Sequence, residues 1–359
     1  MVVVLGADVH KRTHTFVAVD EVGRNLGHRT LSATTAGHRE VVRWARERFG
    51  DELRWAIEDC RHLSARLERD LLTAGQVVVR VPPKMMAEQR RVARTRGKSD
   101  PIDAAAVARA ALREPDLPVA SHDQTSRELK LLIDRREDLV QQRTATINRL
   151  LWRVHELDPA WAPPARSLDV AKQQRLLMGR LSGGRFAGAL AVVAELARDE
   201  LADIIELTRR VNHLEKRIGA LVTDAAPTLL SMPGVGVLTA AKLVGETAGV
   251  SRFKSEAAFA RHAGIAPIPV WSGNTAGRVR LTRSGNRQLN AAIHRIAVTQ
   301  IRLDGLGKIY YQKKKSEGMS TPEALRCLKR RLARVVFNTL KADNNTVQHA
   351  SGTSLPNAA

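Results

Sequence analysis

Cysteine is nearly missing from this chain. Cys60 and Cys327 are the only two in 359 residues and lie far apart, which excludes a disulfide framework and a cysteine-built zinc cluster. Long apolar runs are also missing: nothing approaches the roughly 18 uninterrupted residues that a membrane span needs. The opening MVVVLGADVHKR reaches charge too soon for a signal peptide, so the expectation is a cytoplasmic protein. Acidic residues are scarce in one region in particular. Residues 227–359 hold 20 basic and 6 acidic side chains, a net of +14. Residues 1–115 carry +6 and residues 116–226 only +1.

What is present is positive charge. Lys and Arg number 58 against 37 Asp and Glu, a net of +21, which excludes a neutral small-molecule enzyme as the default and points to a polyanion, above all nucleic acid. Hydrophobic residues at 43% and charged residues at 26% mark a globular chain rather than a disordered one. A second basic cluster, Lys84, Arg90, Arg91, Arg94, Arg96 and Lys98, reads either as a nucleic-acid contact or as a solvated face.

The first third changes hydrophobic period in a readable order. Val2–Val9 is an apolar run suited to a buried strand, Thr13–Asp20 alternates as a second strand, and Leu26–Leu31 returns as a third. Helical spacing begins at Thr35. Leu53–Ile57 predicts a strand, Leu63–Leu72 a helix, Gln76–Val81 a strand closed by Pro82 and Pro83, and the stretch from Pro101 to Leu112 a final helix. The order β-β-β-α-β-α-β-α is that of an RNase H-like fold. In such a sheet the first and fourth strands are parallel neighbours, so Asp8 and Glu58 emerge at the same edge. Asp100 and Asp103 stand three apart at a helix start and share a face. Four converging carboxylates suit two Mg²⁺ ions, hard cations that serve phosphodiester chemistry. The bland alternative for the last pair is a capped helix start, with Asp100 as cap, Pro101 at the first position and Asp103 at the third.

Residues 123–158 and 186–224 predict two long amphipathic helices, a hairpin or coiled-coil arm suited to spacing or oligomerisation. Further on, Leu229–Ala240 has the form of a helix-hairpin-helix. Gly234 and Gly236 would let backbone N–H groups approach a phosphate, or would simply make an ordinary turn. Ser272 lies in a loop rich in glycine and arginine, with Arg278, Arg280, Arg283 and Arg287 suited to a phosphoryl target. A second Ser-Gly-Asn at Ser284–Asn286 leaves open which serine matters. The C-terminal helix is predicted from Thr321 to about Leu340, with frayed residues after Asp343.

The runs GADVHK (Gly6–Lys11), GKSDPIDAAAVA (Gly97–Ala108), MPGVG (Met232–Gly236), AGIAP (Ala263–Pro267) and RSGNRQLN (Arg283–Asn290) carry a resemblance. The chain resembles insertion-sequence transposases that join an N-terminal DEDD domain of the Holliday-junction-resolvase (RuvC-like) type to a C-terminal serine transposase domain. Pilin-gene invertases belong to the same group, and some members are guided by a structured bridge RNA. The resemblance implies an α/β domain over 1–115, a helical oligomerisation region over 116–226, a mainly helical transposase domain over 227–345 and a disordered tail over 346–359. It implies Asp8, Glu58, Asp100 and Asp103 as metal ligands, Ser272 as the nucleophile, and double-stranded DNA as substrate. It also implies a bridge RNA and a dimer or tetramer in which one protomer's serine meets another's acids. One departure is visible: the family follows its Glu with a small residue, Thr and Gly, whereas Glu58 precedes Asp59, Cys60 and Arg61. The other function classes compatible with these residues are a metal-dependent endonuclease that hydrolyses without rejoining, and a non-catalytic nucleic-acid-binding protein.

Overall fold

The computed structural model describes residues 2–58, 63–92, 99–114, 117–121, 123–277, 279–281 and 285–352. Of the residues singled out above, Asp59, Cys60, Arg61, Arg94, Arg96, Lys98, Arg278, Arg283, Ser284 and the Lys84 side chain lie outside them. The chain forms two compact units, Met1–Gln124 with Ala248–Lys341, and Thr125–Thr247 with Ala342–Ala359.

In the first unit, strands β1 (Val3–Val9), β2 (Thr13–Val19), β3 (Asn25–Ser32), β4 (Leu53–Glu58) and β5 (Val77–Val81) form one sheet in the order β3-β2-β1-β4-β5. The β1–β2 and β2–β3 pairs are antiparallel; β1–β4 and β4–β5 are parallel. This is the expected RNase H-like order. Helices α1 (Thr35–Phe49) and α2 (Ala65–Thr73) cover one face, where Leu5, Phe16, Trp55, Ile57, Val41 and Leu67 form a dry core. The indole N–H of Trp55 donates to Gln76 Oε1 at 2.8 Å, so the buried polar atom is satisfied.

The opposite face is covered by α3 (Pro83–Val92) and α4 (Asp100–Arg113), with Val4, Val17, Ala56 and Val79 packed against the alanines of α4. Two covered faces correct the reading of β2 as an alternating strand: every residue from His14 to Val19 is buried. Helix α3 departs from the expected pattern as well. Pro82 and Pro83 look like terminators, yet Pro83 opens the helix, where its missing N–H costs nothing. Gly6 is required by a close approach. A Cβ there would stand 2.0 Å from the carbonyl oxygen of Ala104 and 2.5 Å from the Ala108 nitrogen, so α4 lies directly on β1.

The rest of this unit holds α10 (Glu256–His262), a hairpin of β6 (Pro267–Pro269) and β7 (Val279–Leu281), α11 (Arg287–Arg302), α12 (Leu306–Ser316) and the larger part of α13 (Thr321–Gly352). Gly285 sits at φ 132° with its α-face on the backbone of Gly264, and Asn286 caps α11 by accepting the N–H groups of Gln288 and Leu289. The second Ser-Gly-Asn run thus ends in a helix cap.

In the second unit, α5 (Gln124–Leu157) and α7 (Ala189–Ala225) are the two long helices expected, with α6 (Ala171–Gly183) between them. Arg136 pairs with Glu215, Arg143 donates to Thr208, and Arg153 pairs with Glu200. Partners descend along α7 as they ascend α5, so the helices run antiparallel. Short α8 (Pro227–Leu230) leads through Gly234, at φ 82°, and Gly236 into α9 (Val237–Thr247). Lys242 and Glu246 of α9 are buried and pair with Glu137 and Lys130 of α5. Asp343, after which the sequence predicts a frayed end, is buried and accepts the N–H groups of Thr228 and Leu229 at the start of α8, and α13 continues past it to Gly352.

Candidate active site

The carboxylates gather at the C-terminal edge of the parallel strands. Asp8 and Glu58 follow the paired residues Ala7 and Ile57, one position further along neighbouring parallel strands. Both side chains leave the sheet on the face covered by α4, opposite to Ala7 and Ile57, because successive side chains alternate. From that helix, Asp100 and Asp103 supply the remaining acids. The helix is not capped as expected: Ser99, in extended conformation (φ −155°, ψ 154°), is the cap residue, and its carbonyl accepts the Asp103 N–H at 3.0 Å. Asp100 and Asp103 therefore both lie within the first turn, where the helix dipole favours negative charge.

The acids act on one another. Burial holds the Asp8 carboxyl above the usual carboxylate range, and the charges of Asp103 and Asp100 push it the same way, against the opposing pull of His10. His10 joins the site without any expectation from the sequence. Its Nε2 lies 3.1 Å from Asp8 Oδ2 and 3.6 Å from Asp100 Oδ1, and ligand atoms of Asp8, His10 and Asp100 all fall within 4.8 Å of one another. The available signal is the spacing Asp-Val-His at a strand end. Two carboxylate oxygens and an imidazole nitrogen so close together fit a divalent cation.

Arg90 of α3, expected on nucleic acid, is still 38% exposed and reaches the acids: its Nη1 donates to Asp103 Oδ1 at 2.8 Å, and the charges of Asp103 and Glu58 both raise its affinity for the proton. Arg91 is exposed on the same helix. The acids and Arg90 thus form one electrostatic cluster, with Glu58 tied to it through Arg90.

Ser272 is exposed in the hairpin loop, between Trp271, itself 56% exposed, and a single helical turn at Gly273–Thr275. Arg280 stands on β7 opposite Ile268. Arg287 opens α11. Gly234 and Gly236 form the turn before α9, and the Gly236 carbonyl accepts the first helical N–H groups, from Thr239 and Ala240.

A sheet with carboxylates at its parallel strand ends, on a chain of net charge +21, defines a class: a protein that acts on a polyanionic backbone. Comparison with known proteins narrows this. The transposase family DEDD_Tnp_IS110 matches residues 5–157, and the transposase IS116/IS110/IS902 family matches residues 226–312. The uncharacterised 44.8 kDa protein of insertion element IS116 from Streptomyces clavuligerus is 28% identical over 94% of each chain. The 42 kDa protein of IS900 from Mycobacterium paratuberculosis is 28% identical over 97% of this chain and 98% of its own. T. thermophilus RuvC in complex with a Holliday junction substrate aligns with 33% of this chain and 99% of its own, at 15% identity and a TM-score of 0.27. The chain belongs to the IS110/IS116/IS902 family of insertion-element transposases. Its activity is accordingly the cleavage and rejoining of DNA. Among the described residues no helix is long and apolar enough to cross a membrane.

Proposed function

We propose that this transposase cuts and rejoins double-stranded DNA with Ser272 as nucleophile and Asp8, Glu58, Asp100 and Asp103 as the metal-holding acids. The observation that carries the reading is the convergence of acids from β1, β4 and α4 at one edge of the sheet, with His10 among them. Divalent cations, two Mg²⁺ per site, would supply Lewis-acid stabilisation of charge at the reacting phosphate. The chain's own groups do the rest. The Ser272 Oγ–phosphorus bond forms as the bond to the 3′ oxygen breaks; the serine proton leaves to solvent and the 3′ oxygen is protonated in turn. Attack by a 3′ hydroxyl on the phosphoserine reverses the exchange and rejoins the strand. Arg280 and Arg287, with Arg278 and Arg283, suit the non-bridging oxygens of that phosphate. Support for Ser272 comes from its exposed place in the hairpin loop; Ser284 lies outside the described residues, and the Asn286 that ends its run is taken up in capping α11.

The same reading includes a bridge RNA that supplies target choice by base pairing. It also includes a dimer or tetramer in which the acids of one protomer meet the serine of another, with α5 and α7 as the bridge. Such a complex works in the cytoplasm on the nucleoid. The deciding experiment incubates the protein with element-end DNA and Mg²⁺ and looks for a covalent protein–DNA adduct at serine. Wild type forms it and Ser272→Ala does not. Strand cleavage that persists in Ser272→Ala would make the protein a hydrolytic endonuclease instead. Sequencing the nucleic acid that co-purifies with the protein tests the RNA.

A further inference from the structure

A groove of about 1890 Å³ runs between the β6–β7 hairpin and α13, and its two walls differ in chemistry. The hairpin wall presents Ile268, Val270 and Val279, all partly or largely exposed. Opposite, α13 presents Arg326, Arg330 and Arg334, one helical turn apart in succession and so about 6 Å from one to the next. Arg280 adds a guanidinium from the hairpin side. Tyr310 lines the groove with the Arg331 guanidinium 4.9 Å from its ring centre. The acids on the lining are already engaged: Glu317 holds Lys314, Glu323 accepts the N–H and hydroxyl of Ser320, and Glu256 pairs with Arg334 at 3.3 Å and Arg330 at 3.8 Å.

We propose that this groove binds an unpaired DNA strand, with phosphates on the α13 arginines and bases on the apolar hairpin wall. A duplex hides its base faces and offers the apolar wall nothing, whereas a single strand presents phosphates on one side and stacking surfaces on the other. Val270 lies two residues before Ser272, so a strand in the groove is led to the serine hairpin. The inference rests on the reading of that hairpin as the DNA-reacting element, which is why the strand is DNA. Glu256 acts as a built-in competitor that occupies two of the arginines until a phosphate displaces it.

Fluorescence anisotropy on the full-length protein tests this with a short labelled DNA strand, the same strand with abasic positions, its duplex, and the RNA of equal sequence. Arg330→Gln with Arg334→Gln is expected to weaken single-stranded DNA about tenfold. The salt dependence should flatten by about 1.4 in slope, because two phosphates are no longer neutralised by arginine. Duplex binding should change much less, and abasic positions should weaken the wild type. Glu256→Gln breaks the same ion pairs yet should tighten the strand several-fold. If Glu256→Gln weakens binding as the arginine variant does, the pairs merely hold α10 and the proposal fails. It fails equally if the abasic strand binds as well as the intact one, if the arginine variant leaves strand affinity unchanged, or if RNA binding suffers more than DNA binding. A covalent protein–DNA adduct that survives Ser272→Ala, alongside strand binding abolished in the arginine variant, would overturn the catalytic reading and leave the groove standing.

Discussion

The acid cluster and the serine hairpin are built in opposite ways. Asp8, Glu58 and the two aspartates of α4 sit next to residues that are wholly or almost wholly buried: Ala7 at 0%, Ile57 at 1% and Ala104 at 0% exposure. Their positions are dictated by a close-packed core that tolerates little change in volume. The hairpin that carries Ser272 consists of two three-residue strands, and every residue of Pro267–Pro269 is exposed. Among the described residues, no residue of either strand is buried. The carboxylates are therefore held as a rigid reference frame, whereas the proposed nucleophile Ser272 stands on an exposed hairpin. A site on core elements is more finely placed than one on loops.

The largest loss should follow from disturbing the rigid frame at a distance from the acids. Gly6→Ala inserts a methyl where only 2.0 Å separates it from the Ala104 carbonyl oxygen. Helix α4 must lift off β1, which moves Asp100 and Asp103 away from Asp8. Overpacking of this kind costs about 3 kcal/mol, and cleavage should drop by two orders of magnitude or more. Thermal melting together with an adduct assay checks both. Gly273→Ala, in the hairpin loop where a Cβ meets open space, strains a φ of 46° but disturbs no core and should leave melting almost unchanged. Equal losses of stability in the two variants would erase the contrast.

The stability of the rigid half also depends on pH. His14 of β2 is buried under α1, stacked on His38 with ring centres 5.2 Å apart, and among the described residues its Nδ1 has no hydrogen-bond partner. His38 in turn holds Asp70 at 2.7 Å. Burial, aided by the charge of His38, lowers the His14 pKa to about 4. In the unfolded chain the group titrates near its ordinary value of 6.5. Between these values the unfolded state binds a proton that the folded state refuses, so stability is complete above pH 6.5 and falls as pH drops toward 4. The loss is roughly 2 kcal/mol between neutral pH and pH 5. Urea unfolding of wild type and His14→Leu at several pH values measures it: the variant's slope should be shallower in this window. Identical slopes would show that His14 titrates normally.

Much of this rigid half was legible in the sequence, and the exposed hairpin was not, for one physical reason. Strands β1, β4 and β5 are mostly apolar because both faces of the sheet are covered there, edge strand β3 alternates, and α1, α2 and α4 have enough apolar residues at helical spacing to declare themselves. The acids could be placed because strand order decides which ends coincide. The β6–β7 hairpin has three residues per strand and two prolines in six positions, so it carries no periodic signal. Helix α3 hides behind two prolines, and α12 buries none of its residues. His10 was invisible as a partner because its proximity to Asp100 depends on where α4 lands, not on local sequence. The anchoring role of Asp343 was likewise invisible because its partners, the N–H groups of Thr228 and Leu229, lie more than a hundred positions earlier.

The smallest expected effect concerns Arg90, which joins the rigid frame without belonging to its core. Its guanidinium donates to Asp103 and feels Glu58, so it neutralises charge at the place where a divalent cation would be held. A cation must either displace Arg90 from Asp103 or bind beside it, and both are opposed by like-charge repulsion. Arg90→Gln keeps a hydrogen-bond donor of similar reach and removes the charge. Mn²⁺ affinity, measured by the loss of the free-ion signal in electron paramagnetic resonance, should tighten on the order of threefold to tenfold in low salt, and the gain should shrink as salt is raised. Because α3 lies over α4 and contributes Met85 and Met86 to the same core, melting should barely move. An unchanged or weaker Mn²⁺ affinity would mean that Arg90 orients Asp103 for the ion rather than competing with it. Arg90 would then be part of the frame, and the boundary of the rigid frame would have to be drawn beyond α3.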